Sequence, residues 1–449
     1  MNRFSTRGLV AGLAATALAL SMAACSTPAA PPASPTDTAP APEPAPTTDA
    51  APEPVTLRFW HNATADPQKG IWEQAARTFE ASHPGVTIEV TGYQNEELQR
   101  TLIPQALQAG GDAAPEVFMV WPGGEVRAQA EAGHLKDLTS LAAGTIAELG
   151  GVVKPWEVDG KQYALPYTFG ITGIWYNKDL FAQAGITDTP KTLPELEDAV
   201  AKLKAINVAP IAVGAGDKWP AGHWWYQFAL NTCSVQTLQT AIPALDFTDP
   251  CWIQAGEKLQ EWMKIEPFQS GFLATSAQQG ADSSAGLVAN GKAAMEFMGH
   301  WNAGQIGSLA PDAQVPAFLG WFPFPSIPGT AGDPTVTMGG GDGFGVHVDA
   351  PDVAVEFVEF LLNAENQSAF GAAGSGIPVN PAAAESITDE NLKAIAAGLA
   401  GSSYVQLWLD SALGPEFGNP LNDAIVNLMG GKGTPQDIVD ALEKTAANL

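Results

Sequence analysis

Three times between Val55 and Thr139 a short apolar segment is followed by a stretch with helical periodicity. VTLRFW alternates as a strand does, and IWEQAARTFEASHPG follows as a helix that stops at Pro84-Gly85. VTIEVTGY leads into NEELQRTLIPQALQAGG, and PEVFMVW leads into PGGEVRAQAEAGHLKDLT. The third apolar segment does not alternate, the pattern of a strand covered on both faces. Strands that alternate with helices pair through crossovers. This opening therefore commits the chain to an α/β fold built on parallel sheet.

The same grammar continues through QYALPYTFGITGIWYN, TLPELEDAVAKLKAI and IAVGAG. Residues 222 to 275 read as mostly helical. VTMGGGDGFGVHV reads as strand, glycine turn and strand, and VAVEFVEFLLNAENQSAF as a strong helix. A chain of 449 residues is long for one hydrophobic core and implies two or three lobes.

The N-terminus predicts a targeting segment. Arg3 and Arg7 precede the apolar run GLVAGLAATALAL, and SMAAC then ends at Cys25. Charge, apolar length and small residues mark residues 1–24 as a signal peptide, and the run is too short to span a bilayer comfortably. The cysteine after Ala23-Ala24 resembles a bacterial lipobox, although Met22 stands where leucine is usual. That resemblance implies cleavage before Cys25 and lipid on its sulfur. Residues 26–54 contain no Lys, no Arg and no large apolar side chain, so 25–54 is expected to be a lipidated cysteine on a disordered Pro-rich tether. The expected location is outside the cell, anchored by lipid on the outer face of the cytoplasmic membrane. Export permits a disulfide between Cys233 and Cys251, the alternative being two buried thiols.

Net charge is −27, which repels nucleic acid and anionic lipid headgroups. Catalytic motifs are missing: there is no H-E-x-x-H, no G-x-S-x-G and no C-x-x-C. The six histidines show no metal-ligand spacing. GLVANGK has the glycine and lysine spacing of a phosphate-binding loop, but Ala293 stands in place of the Mg²⁺-binding hydroxyl and the stretch precedes a strand. Carboxylates are plentiful, yet nothing localises an acid–base pair. The sequence thus predicts no enzyme, no cofactor and no metal.

Tryptophan outnumbers tyrosine 13 to 6. Trp121 ends a predicted strand, Trp301 ends AAMEFMGHW, Asp342 sits inside GGGDGFG and Phe417 lies in LGPEFGN. Ligands of open α/β sheets bind beyond the carboxyl ends of strands. There an aromatic face can match the C–H face of a sugar ring while polar groups fix its hydroxyls. In GHWWYQF, Trp225, Phe228 and Ala229 form an i, i+3, i+4 stripe that predicts a core face. Trp224 borders His223 and Gln227 and is expected to be the ligand platform.

Taken in order, PEVFMVWPGGEVRAQAEAGHLKDLT, DGKQYALPYTFGITGIWYNKDLF, NGKAAMEFMGHW, GGGDGF, GSGIPVN and NLMGGKGTPQDIVDAL resemble the extracellular solute-binding proteins of ABC importers, in the sugar-binding group that includes maltose-binding protein. The resemblance implies a two-lobe α/β fold like that of periplasmic binding proteins, with a hinge and an interlobe cleft. It places lobe 1 at 55–168 plus 319–362 and lobe 2 at 169–318 plus 363–449. It implies delivery of the solute to permease subunits with no chemistry done on it, and a monomer is expected. Several stacking platforms suit two or more rings, so the expected solute is a di- or oligosaccharide. His61, Asn62, Trp121, Trp224, Trp301, Asp342 and Phe417 fall at family contact positions. The alternative for His61 and Asn62 is strand-end capping, and for Asp342 a turn bond to its own backbone. The competing functions are the same fold holding a non-sugar solute and an exported glycoside hydrolase.

Overall fold

The computed structural model describes residues 54–448. The leader at 1–24, Cys25 and the Pro-rich stretch up to residue 53 lie outside the described residues. β1 (Val55–His61) pairs in parallel with β2 (Val86–Gly92) on one side and with β3 (Val117–Val120) on the other. The helix Gln68–Ser82 makes the first crossover and buries Trp72, Ala75, Ala76 and Phe79 against the sheet. Leu57 and Phe59 of β1 and all four residues of β3 are buried. β3 is apolar throughout because both its faces are covered, whereas β1 alternates.

The other strands follow in chain order. β4 (Glu157–Val158) and β5 (Lys161–Gln162) form a small hairpin. β6 (Ala164–Ile171), β11 (Val336–Val346) and β12 (Tyr404–Leu407) complete the first sheet, in the order β12-β11-β3-β1-β2, with β6 also on β11. β7 (Gly173–Asn177), β8 (Ala209–Ala212), β9 (Ala293–Met298) and β10 (Leu319–Phe322) form a second sheet in the order β10-β7-β9-β8. Each sheet is packed on both faces, and large buried clusters cover the second sheet and its helices.

Two features depart from a simple parallel reading. β11 runs antiparallel to β3 and β6. It enters from the second sheet through a loop, and only parallel neighbours need a crossover helix. The chain also passes between the two sheets more than once. β6 passes into β7 through Thr172 alone, so that crossing lies just beyond residue 168. β10 pairs with β7, which puts 319–322 in the second sheet. Phe370 still packs in the first core, while Ile377, Ile387 and Leu392 pack in the second. β12 then rejoins the first sheet beside β11.

Cys233 and Cys251 are bonded, 18 residues apart. The bridge ties the end of the helix Trp219–Thr232 to the start of the helix Pro250–Met263.

Candidate functional site

The first sheet delivers one wall of a cleft from its strand ends. The loop after β1 brings Asn62 and Asp66, the following helix opens with Gln68, the residue after β3 is Trp121, and β6 and β11 contribute Tyr167, Thr168 and Asp342. The facing wall comes from the N-terminal end of the helix Trp219–Thr232, through Trp219 and His223, and from Trp301, Gln305 and Ser308 around the helix Asn302–Leu309. Trp408, Asp410 and Ser411 follow β12 and line the same space. The cleft contains about 980 Å³ of unfilled space, counting the part open to solvent.

Four rings form a continuous aromatic wall. His223 lies parallel to Trp408 at 5.8 Å, Trp301 meets Trp408 at 5.4 Å and 71°, and Trp219 sits 5.1 Å from His223 and 6.3 Å from Trp301. Edge-to-face and offset contacts of this kind are the favoured aromatic geometries. Burial holds the His223 imidazole down at about 3, so it is neutral.

Carboxyls stand at other edges of the cleft. Asp342 keeps part of its surface open while its carboxyl is surrounded by protein, and burial pushes it up to about 7. Tyr167 Oη donates to its Oδ2 at 3.4 Å. Asp410 is also raised by burial, against the opposing pull of Arg100. It meets Arg100 Nη2 at 3.5 Å and accepts from Asn422 Nδ2 at 3.1 Å and from the Ser411 amide at 2.9 Å. Arg100 is shared with buried Glu125. Asp66, Asp342 and Asp410 line the cleft, and no Lys or Arg is among the described residues that do so. No group of His, Cys, Asp and Glu among the described residues has the make-up of a metal site.

Of the residues singled out from sequence, Asn62, Trp121, Trp301 and Asp342 come together in the cleft. Asn62 Nδ2 also bonds Asn95 Oδ1 at 2.9 Å. Three do not reach it. His61 is buried behind the wall, where its Nδ1 accepts from the Ala63 amide at 3.1 Å, so it caps the strand end, and burial holds it near 3. Phe417 is in the second core, 6.2 Å from Phe247. Trp224 is fully buried, stacked on Trp262 at 5.7 Å and edged by Phe268, Phe297 and Phe324. The expected platform is therefore core, like Trp225. The physical reason is that the helix has no solvent edge: every residue from Trp219 to Thr232 except Asn231 is buried. Polar His223 and Gln227 mark its cleft-facing and packed positions, not an exposed face.

Trp219, His223, Trp408 and Asp410 were missed. Trp219 and His223 are an i, i+4 pair, visible once the helix is started at Trp219 rather than Gly222. Trp408 directly follows the strand YVQL, the same strand-end signal that marks Trp121 and Trp301.

Comparison with known proteins completes the picture. Residues 63–368 match the family model described as bacterial extracellular solute-binding protein. An uncharacterized ABC transporter extracellular-binding protein of Pyrococcus horikoshii is 25% identical over 407 residues, covering 86% of this chain and 87% of that protein. The solved structure of a chitin oligosaccharide binding protein superposes with a TM-score of 0.79 at 25% identity, over 88% of this chain and 98% of that one. A second solved structure, from work on xylan utilization by the thermophilic bacterium Caldanaerobius polysaccharolyticus, also has a TM-score of 0.79, at 27% identity, over 87% of this chain and all of that one.

Proposed function

The chain belongs to the bacterial extracellular solute-binding proteins, and we propose that it captures a di- or oligosaccharide between its lobes and hands it to the permease of an ABC importer. The observation that carries this reading is the make-up of the cleft. Trp121, Trp219, Trp301 and Trp408 offer apolar faces, and Asn62, Gln68, Gln305 and Asp342 offer hydrogen bonds around them. A pyranose has the complementary surface, C–H faces with a rim of hydroxyls. A phosphorylated or carboxylated solute fits worse, since three aspartates and, among the described residues, no Lys or Arg line the space. The similarity to a chitin oligosaccharide binding protein and to a structure from xylan utilization supports the same class.

In this reading the protein breaks no bond in its ligand and works as a monomer. Cys25 carries a lipid that holds it on the outer face of the cytoplasmic membrane. Replacement Cys25→Ala should then release the protein to the medium and abolish incorporation of labelled palmitate.

The test of the ligand class is a tryptophan-fluorescence and thermal-shift screen over chito-, xylo-, cello-, malto- and galacto-oligosaccharides and their monosaccharides. Stabilisation grows as RT ln(1 + [L]/Kd), so a hundredfold excess over Kd should add about 2.7 kcal/mol. A flat response across the panel overturns the carbohydrate reading. Shortened products appearing in the same mixtures would make the protein a hydrolase instead.

A further inference from the structure

Two of the cleft tryptophans rest on glycines. A β-carbon added at Gly340 of β11 would collide with Trp408, lying 2.7 Å from Cε3 and 2.9 Å from Cη2 with Cζ3 nearer still. A β-carbon added at Gly299 would collide with the same side of Trp301, 2.6 Å from Cε3 with Cζ3 and Cη2 nearer. Real β-carbons do not approach so closely, and a ring wedged between neighbours cannot swing aside as a flexible chain would. Neither glycine has positive φ. Space, not backbone conformation, is what requires glycine at both positions.

The two rings these glycines bear are the ones whose planes define the wall. Trp408 has Gly340 beneath it, His223 parallel to it at 5.8 Å and Trp301 across it at 71°. Asp342 stands two residues beyond Gly340 on the same strand. The neighbouring glycines serve a different need, since β-carbons at Gly339 and Gly341 would strike backbone of β6. The GGGDG run thus combines one ring seat with three points of close strand contact, the third at Gly343, whose β-carbon would lie 2.8 Å from the Leu165 carbonyl oxygen.

We propose that Gly340 and Gly299 are positioning residues that set the planes of Trp408 and Trp301 for the ligand. The proposal rests on the cleft being the ligand site. An alanine at either position lifts the benzo side of the ring and tilts the wall by a fraction of an ångström or more. Displacements of that size at a stacking surface cost affinity steeply.

The experiment compares G340A and W408A with the double variant, and G299A and W301A with theirs, using G144A as control. A β-carbon at Gly144 meets nothing within 4 Å. Near-ultraviolet circular dichroism of the ligand-free proteins reads the ring arrangement, and fluorescence titration with chitotriose and with xylotriose reads binding. G340A should change the dichroism spectrum and weaken the sugar that binds by about tenfold or more. In the W408A background it should alter spectrum and affinity by less than about twofold, because the ring it acts through is gone. Losses that add, or a G340A protein with the wild-type spectrum and affinity, overturn the proposal. If G340A alone does not fold, recovery of a melting transition in G340A/W408A supports the seat, and no recovery overturns it. A changed ligand-free spectrum with no binding of either sugar by any variant or the wild type counts against the carbohydrate reading and leaves the seat standing.

Discussion

Trp219 and Trp224 lie five residues apart on one helix, and the packing separates their roles. Trp224→Ala should lower stability by about 3–5 kcal/mol through a core cavity, while ligand affinity measured on the folded fraction stays near wild type. Trp219→Ala should also lower stability, because the ring is buried, but unlike Trp224→Ala it should cause a large loss of binding in the folded fraction. Finding the two effects on binding exchanged would place the ligand elsewhere. Sequence carried the strand-end tryptophans Trp121 and Trp301, because a ring that ends a buried strand has little else to face. It could not sort GHWWYQF, because adjacent apolar positions on an all-buried helix show no period to read. Glu296 gives a prediction of another kind. It is buried on β9, its Oε2 accepts from Asn302 at 2.8 Å, and burial, opposed by hydrogen bonding from Ser284 and Asn302, raises it from 4.5 to about 7. The unfolded chain loses this proton near pH 4.5 and the native protein holds it to about 7, so stability falls as pH rises through that window. Glu296→Gln carries no charge to bury. It should gain roughly 3 kcal/mol at pH 8 and nothing at pH 4, read by urea unfolding at the two values.

At the scale of elements, the first three strands and their helices are where sequence said, because alternation of apolar strand and amphipathic helix is a local signal. Strand partners are not local. β11 reads as a strand broken by a glycine turn, yet Val336–Val346 is continuous, with a register shift only between Asp342 and Gly343. Its glycines accept neighbours too close for side chains, which a glycine count cannot distinguish from a turn. β12 pairs beside β11 from a distance of some sixty residues, a contact no periodicity announces. The Cys233–Cys251 bridge joins two helices that already pack together. Replacing both cysteines by serine should cost about 3 kcal/mol in denaturant unfolding and leave sugar affinity unchanged. A loss of affinity instead would mean that the bridge sets the position of Trp219.

Across the whole molecule, one buried polar chain runs from wall to wall of the cleft. Gln99 and Arg100 meet Glu125, Arg100 reaches Asp410, Asp410 accepts from Asn422, and Asn422 accepts from Tyr226. Arg100→Met leaves two buried carboxyls without their cation and should cost about 3–5 kcal/mol. Because this polar chain links Gln99 and Arg100 to Tyr226 on the helix Trp219–Thr232, small-angle scattering of the folded variant should also show a larger radius of gyration than wild type. An unchanged radius would mean that the pair fills space without holding the lobes. The crossings between sheets carry a consequence for how the molecule comes into being. Val55 opens the first sheet and Leu407 closes it, with the whole second sheet inserted between them. Neither lobe corresponds to a stretch of chain that can finish early. During synthesis the first sheet waits for an edge strand that emerges near the end, so its hydrophobic strands stay uncommitted for most of the chain's length. A fragment ending at residue 330 lacks β11, on which β3, β6 and β12 all pair, and should remain unfolded by circular dichroism while the full chain folds in one transition.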